Sequence, residues 1–63
     1  MDELLTLAEV AQRLRRPEAT LRYWRATGVG PKSLRIGGRV RYRQADVDQW
    51  IAEQIAENER AAG

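Results

Sequence analysis

The sequence predicts a mainly α-helical fold with one small β-hairpin: three helices plus a two-stranded ribbon in 63 residues. Three observations predict it. Apolar residues recur at helical spacing through Leu7, Val10, Ala11 and Leu14, and again through Val47, Trp50, Ile51 and Ile55. A further helical stretch is punctuated by Pro17 at its start and Gly28 at its end. Arginine alternates with apolar residues on both sides of Gly37-Gly38, which marks a hairpin.

The first helix carries a full set of start signals. Thr6 is placed to cap the free amides, and Glu9 to reach back and complete a capping box, with Leu5 and Val10 as the hydrophobic staple. The helix is expected to end near Leu14, because Pro17 restricts the residues before it. Arg15 and Arg16 lead into the second helix. Pro17 suits its first position, and Glu18 lies favourably against the positive end of the helix dipole. Helical spacing puts Leu21, Trp24 and the stem of Arg25 on one side, and Ala19, Arg22, Tyr23 and Ala26 on the other. That outer side sets a guanidinium and a phenol between methyl groups, so it can press close to a polyanion. Two short helices joined by a tight turn, with Arg and Tyr outward on the second, describe a helix-turn-helix.

A turn-rich connector over 28–33, carrying Lys32, leads to the hairpin. Two registers are open. A two-residue Gly37-Gly38 turn pairs Ile36 with Arg39 and sets Leu34 on the face of Arg41. A three-residue loop ending at Arg39 faces Ile36 with Val40 and Leu34 with Tyr42. Burial of one face favours the second register, with Arg39 at the tip and Arg35, Arg41 and Arg43 along the outer face. The third helix is expected from Gln44 to about Glu57, with Val47, Trp50, Ile51 and Ile55 as its core stripe and Trp24 and Trp50 as core neighbours. One domain, 1–58, and a frayed tail, 59–63, complete the organisation.

Composition narrows the function. The net charge of +2 conceals a segregation: residues 13–43 hold ten of the eleven basic residues and one acid. Residues 1–12 carry −3 and residues 44–63 carry −4, so a basic centre lies between acidic flanks. Separation of this kind is the electrostatic footprint of a nucleic-acid binder. With neither cysteine nor histidine, the chain is expected to have no disulfide, no zinc site and no histidine-based catalysis. The acids are spread over helix faces with no partner base, so no enzyme, metal or cofactor is expected. No apolar run approaches a membrane span, and the start Met1-Asp2-Glu3 does not resemble a signal peptide, so a cytoplasmic protein is expected.

The ordered segments 5–11, 19–24 and 35–43, followed by 45–50, resemble the winged-helix DNA-binding domain of the MerR type. They look most like the small phage and mobile-element excisionases that share it. The resemblance implies that Thr20, Arg22 and Tyr23 meet the major groove, and that Arg39, Arg41 and Arg43 meet phosphates or the minor groove. Arg15-Arg16 stand where the family usually has a Gly and an apolar residue in the turn; both can add phosphate contacts. Arg25, Lys32 and Arg35 complete the candidate DNA-binding set. The implied function is a recombination directionality factor that binds and bends DNA near attachment sites of bacterial DNA and directs an integrase toward excision. A small transcriptional regulator of similar architecture, or a protein-interaction module docking through the acidic third helix, are the alternatives. The expected partners are double-stranded DNA, an integrase, and further copies of the protein assembled head to tail on DNA from a monomer in solution.

Overall fold

Thr6 begins the helical part of the chain as expected. In the computed structural model, its Oγ1 accepts from the Glu9 amide at 3.1 Å, and its own amide donates to Glu9 Oε1 at 2.8 Å. The staple residues Leu5 and Val10 are both fully buried. The structure describes residues 3–62; Met1 and Asp2 of the acidic start, and Gly63 of the tail, lie outside the described residues. The elements are β1 (Leu4–Leu5), α1 (Leu7–Leu14), α2 (Glu18–Thr27), β2 (Leu34–Ile36), β3 (Arg39–Arg43) and α3 (Gln44–Ala62).

Helix α1 closes with a Schellman-type turn. The Arg16 amide donates to Ala11 O at 2.9 Å and the Arg15 amide to Gln12 O at 3.2 Å. Arg15 itself adopts φ 55° and ψ 43°, a left-handed conformation. Pro17 is extended and precedes α2 without a side-chain cap, so the helix starts one residue later than expected. It ends at Gly28, also left-handed, where the Val29 amide returns to Trp24 O at 2.8 Å. Leu21 is fully buried and Trp24 half-buried, while Arg22 and Tyr23 face outward.

The hairpin takes the other register. Leu34 pairs with Arg41, Arg35 with Val40 and Ile36 with Arg39. Gly37 and Gly38 form a two-residue turn with φ of 57° and 79°. Two left-handed residues are what a type I′ turn requires, and its twist matches that of the strands. Burial would select the three-residue loop only if the whole ribbon packed on the core. Only the base does: Tyr42 is buried and Val40 half-buried, while Ile36 near the tip is 47% exposed. Arg39 therefore opens β3 opposite Ile36 instead of standing at the tip. Arg35 shares the Val40 face and does not line up with Arg41 and Arg43.

Strand β1 was not anticipated, since two residues carry no alternation. It pairs antiparallel with β3, setting Leu4 against Arg43 and Leu5 against Tyr42, so the sheet order is β1-β3-β2. The Gln44 amide extends this edge by donating to Glu3 O at 2.9 Å. The core consists of Leu5, Val10, Ala11, Leu21, Tyr42 and Val47, with Leu7, Leu14, Trp24, Val40 and Ile51 packed against it.

Helix α3 departs from expectation in two ways. It continues past the expected end near Glu57 to Ala62, and the Asn58 side-chain amide donates back to Gln54 O at 2.8 Å. Its apolar stripe also leaves the core partway: Val47 is buried, Trp50 and Ile51 are half-buried, and Ile55 is 54% exposed. The anticipated Trp24–Trp50 contact is present, with ring centroids 5.5 Å apart and planes tilted by 47°.

The connector rests on that tryptophan pair through Gly30. Its φ is 85°, and a Cβ there would come within 2.9 Å of Trp24 Cε3. Gly30→Ala is therefore expected to destabilise the fold by about 2 kcal/mol, lowering Tm by about 10 °C in a chain of this size. Thermal unfolding followed by tryptophan emission checks it; an unchanged midpoint would show that the connector is free to move off the indole.

Candidate nucleic-acid interface

The outer face of α2 is built as the spacing requires. Ala19, Arg22, Tyr23 and Ala26 are all exposed, Tyr23 at 66%. The two methyl positions leave the guanidinium and the phenol, with Glu18 one turn before Arg22, as the long side chains on this face. Arg22 is not idle: its Nη2 lies 3.1 Å from Glu18 Oε1, one helical turn earlier. A solvated pair at this spacing stabilises a helix by only about 0.3–0.5 kcal/mol, so a phosphate or a base edge can displace Glu18. The i,i+4 spacing of Glu18 and Arg22 is the sequence signal for this pairing, beyond the placement of Arg22 on the outer face. Thr20 is half-buried, on the flank of the helix between Tyr23 and Trp24. Arg25 turns away from the pair, its Nε donating to Ser33 Oγ at 3.1 Å and so tying α2 to the connector.

On the ribbon, alternation along β3 sends Arg39, Arg41 and Arg43 to one face together with Leu34 and Ile36. These three arginines differ in their commitments. Arg41 is half-buried, and its Nη1 donates to Val40 O at 2.7 Å. Arg43 Nη1 lies 3.9 Å from Asp46 Oδ2, an ion pair too long for a hydrogen bond. Arg39 is exposed and, among the described residues, carries no ion pair.

Arg41 also acts on the capping box. The Thr6 amide and hydroxyl hold the Glu9 carboxyl below its ordinary pKa, with Arg13 and Arg41 adding to the effect. A depressed carboxyl supports folding above the ordinary carboxylate range and loses that support as pH falls through the depressed value. The box that starts α1 is thus intact at neutral pH.

Arg15 and Arg16 are exposed at the turn between the helices, and Lys32 is exposed in the connector. Lys32, Arg15 and Arg16 come from segments on either side of α2, whereas Arg35 stands on the opposite face of the ribbon from Arg39. Among the described residues no carboxylates gather in a metal-holding cluster, and no helix is long and apolar enough to cross a membrane.

Two short helices joined by a tight turn, the second with an Arg–Tyr face and followed by an arginine-bearing hairpin, define a helix-turn-helix with a small wing. A family model described as a helix-turn-helix domain matches residues 4–55, and the chain belongs to that family. No curated protein and no solved structure matches the chain. The match runs from β1 through the first two-thirds of α3, so both helices, the wing and the core lie within it. DNA is the partner class that this fold and family define.

The turn supplies a prediction that separates stability from binding. A non-glycine residue in the left-handed region costs about 1 kcal/mol, which Arg15→Gly would relieve. The variant is expected to unfold at a higher temperature and yet bind DNA more weakly, with the slope of log affinity against log salt reduced by about one phosphate contact. Thermal unfolding and a salt series on one preparation measure both. Equal affinity and an unchanged slope would remove Arg15 from the interface.

Proposed function

We propose that the protein is a sequence-specific DNA-binding excisionase, acting as a recombination directionality factor. It reads repeated sites beside an attachment site, bends the DNA and favours integrase-mediated excision. It performs no covalent chemistry, uses no metal or cofactor, and works in the bacterial cytoplasm where its DNA lies. The observation that carries the DNA reading is the outer face of α2, where Arg22 and Tyr23 stand exposed between two alanines. The excisionase role is supported by the MerR-type order of helix, turn, recognition helix, arginine-rich wing and third helix. A small transcriptional regulator is the reading to which the same surface would pass if recombination were unaffected.

In this reading Arg22, Tyr23 and Thr20 face base edges in the major groove. Arg39, Arg41 and Arg43 serve phosphates or the minor groove, and Arg15, Arg16, Lys32, Arg35 and Arg25 add charge around them. Arg22→Ala should then cost about 1–3 kcal/mol on the specific site and much less on random DNA. Arg39→Ala should weaken binding to every sequence alike and flatten the salt dependence by about one contact. Titration of specific and random duplexes at several salt concentrations checks both. Equal losses for Arg22→Ala on the two duplexes would make it a phosphate anchor. Excision by an integrase on attachment-site DNA, with and without the protein, tests the directionality role, and a circularly permuted duplex tests bending.

The protein is further proposed to be a monomer in solution that assembles head to tail on DNA. The acidic flanks of one copy, residues 1–12 and 44–63, meet basic edges such as Arg13, Arg15 or Lys32 in the next. A heterologous contact does not close, so it propagates along the duplex. A contact of about 1–2 kcal/mol is too weak to hold a free dimer but is visible where DNA keeps both partners close. Sedimentation of the free protein should show a monomer, and duplexes with one, two or three repeats should fill cooperatively. A micromolar dimer or independent filling would rule the arrangement out.

A further inference from the structure

The connector over 28–33 closes a small cleft of about 170 Å³ against the end of α2. Arg25, Lys32 and Ser33 supply its polar side chains, and the chain carries no acid anywhere between Glu18 and Asp46. The connector is braced from within. Gly30 backs onto the Trp24 indole, Pro31 is buried, and Arg25 Nε donates to Ser33 Oγ at 3.1 Å. That bond uses one of the guanidinium's donors and fixes the group at the wall of the cleft. Among the described residues, the two Nη atoms of Arg25 and the exposed Lys32 ammonium carry no ion pair. Burial raises the pKa of Tyr42 and the Arg25 charge opposes that rise, so the guanidinium lies within electrostatic reach of the base of the wing.

We infer that this cleft seats one backbone phosphate of DNA, held by Arg25 and Lys32 with the Ser33 hydroxyl completing the set. The inference rests on the DNA reading and deepens it. In that reading α2 faces the major groove and the ribbon meets the phosphates or minor groove beside it, and the connector is the segment that joins α2 to β2. The sugar–phosphate strand between the two grooves therefore passes the connector. Two cations and a hydroxyl on a braced loop hold one phosphate more tightly than the same charges on free side chains, because less freedom is lost on binding. A phosphate held here carries no sequence information. It fixes how α2 sits along the groove that Arg22 and Tyr23 face.

Duplex titrations over a salt series compare the unaltered protein with Lys32→Gln, Ser33→Ala and Arg60→Gln. Lys32→Gln should weaken binding about fivefold and flatten the salt dependence by about one contact. Ser33→Ala changes no charge and should still weaken binding about threefold. Arg60→Gln removes the same charge as Lys32→Gln from the last turn of α3 and should do neither. Inorganic phosphate added to the free protein gives the second readout. The amide resonances of residues 28–33 should shift and saturate in the millimolar range, and drift without saturating in Lys32→Gln. Duplex binding no weaker in Lys32→Gln than in Arg60→Gln would overturn the seat and leave the DNA reading standing. Indifference to Ser33→Ala would reduce the cleft to a surface charge and overturn it equally, as would amide shifts that never saturate. Saturation by inorganic phosphate in a protein that binds no duplex would overturn DNA as the source together with the DNA reading, and leave a site for free phosphate.

Discussion

Leu5 opposite Tyr42 is the contact on which the other elements depend, because each residue belongs to two structures at once. Leu5 is the staple residue before α1 and also one of the two residues of β1. Tyr42 is a residue of the wing strand and also the largest fully buried side chain. Their pairing across β1 and β3 joins the helix-turn-helix to the base of the wing, and the Glu3–Gln44 hydrogen bond joins the same edge to the start of α3. In so small a chain there is little other core to do this, since few side chains are fully buried. The arrangement has a cost: the Tyr42 hydroxyl is buried with no protein partner, and burial raises its pKa. Burial penalises the ionised phenol, so the fold loses stability as pH rises from the ordinary phenol range through that raised value.

What the sequence revealed follows the range of the interactions involved. The Thr6–Glu9 capping box and the stripe of Leu7, Val10, Ala11 and Leu14 are local, and both were readable because residues a few positions apart determine them. The outward placement of Arg22 and Tyr23 was readable for the same reason, as was the stop at Gly28. The hairpin register was not, although its turn chemistry was on view in Gly37-Gly38. Burial was weighed above turn preference, and this is sound only when the whole ribbon packs. The free tip let the glycine pair decide. Strand β1 was hidden because its partner, β3, lies more than thirty positions away in the chain. Ile55 continued the apolar spacing of α3 perfectly, yet spacing says nothing about where the core ends.

The electrostatics divide along a similar line. Composition showed that the positive charge is concentrated over 13–43, and counting alone treats those cations as equal. Their surroundings make them unequal. Arg25 is engaged with Ser33 and Arg41 with a backbone carbonyl, whereas Arg22 is held by a carboxylate that an anion can replace. Glu18 thus stabilises the uncapped start of α2 and holds the Arg22 guanidinium at the same time. Under the proposed function it would also act as a competitor, since only a DNA site that offers Arg22 more than Glu18 does would release it.

Helix α2 gives these features a common frame. It is only ten residues long, about 15 Å, and one side of it holds Leu21 and Trp24 while the other presents Arg22 and Tyr23. Residues adjacent in sequence point about 100° apart on a helix, so Tyr23 and Trp24 are committed to different surfaces by geometry alone. Gly30 lies so near the indole that a Cβ there would come within 2.9 Å of Trp24 Cε3, so the connector packs directly on this side of α2. The side of α2 that packs inward and the side that faces outward therefore share one short stretch of backbone. A domain with so small a core thus anchors one side of a short helix and leaves the other side exposed.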